Sequence, residues 1–146
     1  MADHLHKQIR DKVKTALTGL TTTATRVWAN RLQALQDANL PGLRIYADDE
    51  RAEALTVTSA IYQRELTIVV EACAKATSGL DDTLDLISKE VETALAAGLS
   101  FSGRVLPVFY TGMSFEDEQL DKPVGIKRMT FTVSFQAAAG TPDAFA

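Results

Sequence analysis

Cysteine is nearly absent from this chain of 146 residues: Cys73 stands alone, so no disulfide can form within it. A reducing compartment is the natural reading. Histidine is as scarce, with His4 and His6 the only two. Two residues apart on a helix, they point in different directions; they make a poor metal pair and are expected to be solvated. The sequence has no G-x-G-x-x-G, no phosphate-binding G-x-x-x-x-G-K-[ST] loop and no G-x-S-x-G. The common nucleotide-binding and hydrolase signatures are therefore missing. No apolar stretch approaches the ~20 residues that span a bilayer. Met1 to Lys7 lacks the apolar run of a signal peptide, so a soluble cytoplasmic product without membrane contact is expected. Excess positive charge is lacking too. The net charge is −4, which argues against a general nucleic-acid binder with a basic face.

What is present fits one domain spanning 1–146, with no repeat and no linker long enough to divide it. A chain of this length buries roughly 70% of its unfolded surface, enough for a core without staples. Leu5, Ile9, Val13, Ala16, Leu17 and Leu20 make a helical stripe over His4–Leu20, with Asp3 as N-cap and Gly19 as stop. Thr25–Asn30 predicts a short strand, and Arg31–Ala38 a short helix or loop. Leu43–Ala47 predicts a strand ending at Asp48-Asp49-Glu50. From Thr56 to Ala74 the alternation predicts a long, half-exposed strand. It places Leu66, Ile68, Val70 and Ala72 on one face and Glu65, Thr67 and Glu71 on the other. Ser78–Ala97 reads as the second helix, with a Ser78/Asp81 capping box. Val105–Thr111 predicts a strand despite Pro107, and Gly112–Gly125 a polar, acidic connection. Strict alternation over Ile126–Gln136 turns Met129, Phe131, Val133 and Phe135 inward. Residues 137–146 are small and polar and are expected to be a flexible C-terminal tail. The fold class is α+β: a single mixed or antiparallel sheet in α-β-β-β-α-β-β order, with two principal helices on one face.

Chemistry-bearing groups are few. Cys73 lies in an apolar strand with no basic partner nearby in sequence, which points to an inert buried thiol. Arg26 and Arg31 flank Trp28, a pattern that suits single-stranded nucleic acid, but a lone tryptophan in a half-buried strand belongs to the core. Three acidic clusters remain: Asp48-Asp49-Glu50, Asp81-Asp82, and Glu116-Asp117-Glu118 with Asp121. Asp81-Asp82 begins a helix and complements its dipole. The other two fall in expected loops, where carboxylates are solvated and offer interaction surfaces rather than catalysis. No catalytic, cofactor-binding or metal-ligating residue is assigned, and no cofactor.

One ordered run stands out: Arg26-Val27-Trp28-Ala29-Asn30-Arg31, then Leu40-Pro41-Gly42-Leu43-Arg44-Ile45-Tyr46, then Arg64-Glu65-Leu66-Thr67-Ile68-Val69-Val70-Glu71. With a helix before it and the Leu80-Asp81-Asp82 helix after it, the run resembles the tail terminator proteins of long-tailed bacteriophages, the lambda-type minor tail protein U family. The resemblance covers roughly Leu5 to Leu95, and Met129–Phe135 fits as the last sheet element. It implies a small α/β fold and a virion protein of the tail or neck, assembled in the host cytoplasm and without enzymatic activity. It further implies a homo-hexameric ring that caps the tail tube protein, stops its polymerisation and meets the head-tail connector protein, with DNA only passing through the lumen. On that reading Asp48, Asp49, Glu50, Glu116, Asp117, Glu118 and Asp121 are candidate lumen or interaction residues, and the segments Ala47–Ala54 and Thr111–Pro123 are candidates for tube contacts. Two alternatives share the size and element order: a head-tail connector or tail-completion protein, and a small ligand-binding α+β domain. The second would need a pocket where groups such as Tyr46, Arg64 and Glu71 converge, but alternation puts Glu71 opposite Arg64.

Overall fold

The computed structural model describes residues 2–30, 32, 37–55, 58, 60–75, 77–118 and 124–146, with the side chains of Asp37, Asp117 and Glu118 outside the description. Two helices, α1 (Leu5–Leu17) and α2 (Leu80–Leu95), lie on one face of a five-stranded sheet. Its strands are β1 (Val27–Trp28), β2 (Gly42–Ala54), β3 (Ile61–Lys75), β6 (Val108–Glu118) and β7 (Val124–Ala138). The spatial order is β1-β2-β3-β7-β6. β1 runs parallel to β2 and every other pair is antiparallel, so the sheet is mixed. A separate hairpin joins β4 (Leu99–Phe101) to β5 (Arg104–Leu106). The α+β class and the single helix-covered sheet agree with the sequence reading.

The core follows from two periodicities. On α1, Leu5, Ile9, Val13 and Leu17 recur every fourth residue and are buried; on α2, Leu84, Ile87, Val91 and Leu95 recur every third or fourth residue and are buried too. Both stripes press on the inward side of the sheet, where Leu43 and Ile45 of β2, Leu66, Ile68 and Val70 of β3, and Met129, Phe131, Val133 and Phe135 of β7 are buried. β3 and β7 pair without interruption from Ile61↔Ala138 to Lys75↔Val124 and form the centre. The outer side of the sheet carries no helix. At one end it is nevertheless closed by a small cluster of Leu40, Cys73, Val124 and Ile126. Cys73 belongs to that cluster, and Val69 and Glu71 on the same side are buried as well, where alternation alone predicted a half-exposed strand. The buried placement of Cys73 agrees with expectation.

Several boundaries differ from the sequence reading, each for a local reason. His4, not Asp3, caps α1: its Nδ1 accepts from His6 N at 3.0 Å, while Asp3 pairs with Lys7. α1 ends at Leu17, three residues early, where Thr18 turns extended and bonds Lys14 O through its hydroxyl. No capping box forms at α2; Gly79, with φ +82°, leads in with no side-chain cap, and Asp81 and Asp82 sit in the first turn. Pro107 divides the expected 105–111 strand, placing Val105 in β5 and starting β6 at Val108. β2 does not stop at Asp48-Asp49-Glu50 but continues to Ala54 through a register shift between Ala47 and Glu50. Gly112–Gly125 is not simply a connection: β6 runs to Glu118, with its own register shift beside Gly112. In both cases pairing with a long neighbouring strand overrides weak local β-propensity, and acidic side chains are tolerated because an edge strand faces solvent. Of the expected Arg31–Ala38 element, Arg31 and residues 33–36 lie outside the described residues; Asp37–Asn39 is a 3-10 turn.

The C-terminal residues also differ from the expected mobile tail. Leu5 N donates to Pro142 O at 2.8 Å and Ala146 N to Gln136 O at 2.9 Å. Phe145 meets Phe101 and Phe135 edge-on at 4.9 and 5.9 Å, with Arg104 over its ring. Each such aromatic pair is worth roughly 0.5–1.5 kcal/mol. Phe145→Ala is expected to release residues 139–146, seen as faster carboxypeptidase trimming with little change in the circular dichroism of the sheet.

Candidate interaction surfaces

Two charged networks occupy opposite faces of the sheet. On the outer face Arg44, Glu71 and Arg128 are register neighbours across β2, β3 and β7. The Glu71 carboxylate is only 2% exposed. Its Oε1 lies 3.0 Å from Arg44 Nη2, while its Oε2 accepts from Arg128 Nε and Nη2 at 3.0 and 2.8 Å. The Tyr46 hydroxyl donates to the same Oε2 at 3.3 Å, and Arg128 reaches on to Glu116 at the sheet edge. Burial alone would lower the Arg128 pKa, but Glu71 and Tyr46 outweigh it and raise it. Burial, then the Glu71 charge, raises the Tyr46 phenol, which stays neutral at physiological pH. Two arginines and two carboxylates thus balance, and every carboxylate oxygen of Glu71 is engaged. The arrangement ties three strands together; it presents no free nucleophile or base.

The second network lies on the helix-covered face. Arg64 Nε donates to Glu50 Oε1 at 2.8 Å, and His6 Nε2 stands 2.5 Å from Glu50 Oε2 and 3.1 Å from Arg64 Nη2. Arg64 also lies over the Phe135 ring at 5.2 Å. His6 is therefore a half-buried partner joining α1 to β2, not the solvated terminal residue that its position suggested. Burial raises the Glu50 pKa, yet the hydrogen bonds from Arg64 and His6 prevail and hold it below the usual glutamate range. A carboxyl depressed in the folded state stabilises above its unfolded pKa and loses that contribution as pH falls through the folded value. Glu50→Gln is accordingly expected to flatten the acid limb of stability below about pH 4.5, measured as melting temperature against pH in the variant and the parent.

The acidic residues singled out from sequence are not brought together. Asp48 and Asp49 are exposed on β2 at its register shift, and Glu50 turns inward to Arg64 and His6. Glu116 is on β6 and pairs with Arg128. Asp117 and Glu118 belong to β6 by backbone, their side chains outside the description, and Asp121 lies outside the described residues. Glu71 and Arg64 are on opposite faces, as alternation required. Among the described residues no three His, Cys, Asp or Glu side chains gather as metal ligands, and no helix is long and apolar enough to cross a membrane.

Sequence reasoning missed one surface. On the inward side of edge strand β6, Tyr110, Met113 and Phe115 are 46%, 42% and 54% exposed. α1 packs over β2, and α2 packs over β3 and β7, leaving this stripe uncovered. The register shift at Tyr110/Gly112 aligns residues that strict alternation would put on opposite sides, so the stripe has no period-2 signature.

A model of the phage minor tail protein U family matches residues 4–135. Among solved structures, a chain from "Virion of native gene transfer agent (GTA) particle" is similar in fold, with a TM-score of 0.55. It is 17% identical, with 92% of each chain covered. No individual curated protein matches the chain.

Proposed function

The chain belongs to the phage minor tail protein U family and is a virion tail component; from that premise we propose that it is a tail terminator. Copies close into a homo-hexameric ring on the finished tail tube, stop its polymerisation and present a face to the head-tail connector, with no catalytic step. Assembly takes place in the host cytoplasm. The observation that carries this reading is the family match over nearly the whole chain. The fold supports it: among the described residues, helices cover one side of the sheet only, and β6 at one edge and Asp48–Ala54 of β2 at the other have no further strand beside them. At that second edge β1 pairs with β2 at Leu43 and Arg44.

Within such a ring, Asp48 and Asp49 on β2 and the Glu116–Asp121 region face the lumen, where like charge keeps passing DNA from adhering. The segments around Ala47–Ala54 and Thr111–Pro123 contribute side chains that meet the tube; of these, Ala47–Ala54 and residues 111–118 are strand rather than loop. The test mixes the purified protein with its tube protein and follows mass by light scattering and shape by negative stain. Six-fold rings capping tubes of arrested length are the expected result. Tubes that keep growing, or a protein that binds only connector rings, would overturn termination in favour of a neck protein.

A further inference from the structure

We infer that the ring interface is formed by the exposed edge of β6 in one copy and the open stretch of β2, Asp48–Ala54, in the next; this rests on the terminator reading above. Three observations converge on a second copy as the occupant.

The first is the pairing chemistry. Among the described residues, β6 presents one strand edge without a partner strand and β2 from Asp48 to Ala54 presents the other, on opposite sides of the same sheet. β2 runs antiparallel to β3, β3 to β7 and β7 to β6, so β2 and β6 point in opposite directions. A neighbour placed side by side in the same orientation therefore continues the sheet as an antiparallel pair. Because the two edges differ, the contact is head-to-tail, the kind that closes rings. β1 blocks β2 through Arg44, so the neighbour sits offset along the strand by several residues.

The second is shape. The uncovered stripe of Tyr110, Met113 and Phe115 is bulky. The inward side of the open β2 stretch carries small residues, Ala52 and Ala54, in register with Arg64 and Tyr62. Large side chains on one edge against small ones on the other interdigitate. The neighbour brings its own α1, whose His6 sits above Glu50 of its β2, to cover the stripe that α2 leaves bare.

The third is charge. α1 carries Lys7, Arg10, Lys12 and Lys14 against Asp11 alone. α2 carries Asp81, Asp82, Asp85, Glu90 and Glu92 against Lys89 alone. The start of α2 stands beside the stripe: Lys127 bonds Asp85 at 3.1 Å and lies over the Phe115 ring. Docking thus sets a basic α1 against an acidic α2, whereas two β6 edges meeting about a two-fold axis would bring like charges together.

Single-cysteine pairs test the contact, since Cys73 is buried. Arg51→Cys and Ser114→Cys lie on the outer side of the two edges. Oxidised in the presence of tube protein, a mixture of the two variants is expected to give disulfide-linked dimers on a non-reducing gel, and neither variant alone should. Phe115→Lys, at an exposed position, is expected to keep the parent melting temperature and weaken self-association at least tenfold by light scattering. Capped tubes without mixed dimers, or dimers from Ser114→Cys alone, would overturn this interface and leave the terminator reading standing. Uncapped tubes and a monomer at all concentrations would overturn both.

Discussion

Replacing Glu71 by alanine is expected to destabilise the protein by about 3–5 kcal/mol, the range for breaking a buried ion pair from one side. The reason is what stays behind. Arg44, with its side chain only 10% exposed, would be left facing Arg128 across an empty carboxylate site. Arg128 retains Glu116 at the edge, but Arg44 loses the carboxylate it meets at 3.0 Å. At roughly 2–4 °C per kcal/mol for a domain near this size, the melting temperature should fall by about 10 °C. The sign reverses if the charges leave together. Arg44→Met, Glu71→Leu and Arg128→Met in one chain should recover most of the loss, because well-packed apolar groups can equal a buried network. Urea denaturation of both proteins checks this, and added salt should hardly change the difference since the carboxylate is shielded from solvent. Equal stability of Glu71→Ala and the parent would mean that the carboxylate contributes no net attraction.

Why this network escaped the sequence reading is a matter of register. Arg44, Glu71 and Arg128 are 27 and 57 residues apart, and only the pairing of three strands makes them neighbours. Periodicity assigns a residue to a face; it carries no information about which residue stands opposite. That is why the inward row Met129, Phe131, Val133, Phe135 was legible, as were both helical stripes, while the outer row was read as solvated. The same limit explains Glu50. Residues 43, 45 and 47 mark the inward face of β2 by parity, and extrapolation would turn Glu50 outward. The register shift between Ala47 and Glu50 reverses the parity and delivers Glu50 to Arg64 and His6. β6 hides its apolar stripe in the same manner. The terminal residues were unreadable for another reason: one aromatic, Phe145, in a run of small residues anchors the segment by tertiary contact that local composition does not record. What survives best at sequence level is the order of elements, which also carried the family resemblance.

Gly42→Ala is expected to be a damaging glycine substitution, and its cause is space rather than backbone conformation. A Cβ at Gly42 would stand 2.3 Å from Asn39 O, 2.9 Å from Trp28 Cζ3 and 3.0 Å from Arg26 O. Two of the three are backbone atoms, which cannot swing aside as a side chain can. Relief requires moving either the 3-10 turn Asp37–Asn39 or β1. Moving β1 stretches the Leu43 N to Arg26 O hydrogen bond of 2.9 Å and withdraws Val27 from the core. Overpacking of this kind typically costs about 1–3 kcal/mol, occasionally more, and valine at the same position should exceed alanine. Gly125 provides the control. A Cβ there would come within 2.5 Å of Leu80, but of its terminal Cδ2, which can rotate away. Gly125→Ala should therefore lose clearly less than Gly42→Ala in chemical denaturation. Hydrogen exchange localises the effect: in Gly42→Ala the amides of Leu43 and the β1 region should open first while the β3–β7 centre keeps its protection. Uniform loss of protection across the sheet would instead show that β1 and the centre unfold as one unit. In that case β1, at the edge where the neighbouring copy is proposed to dock, would be as firmly held as the core itself.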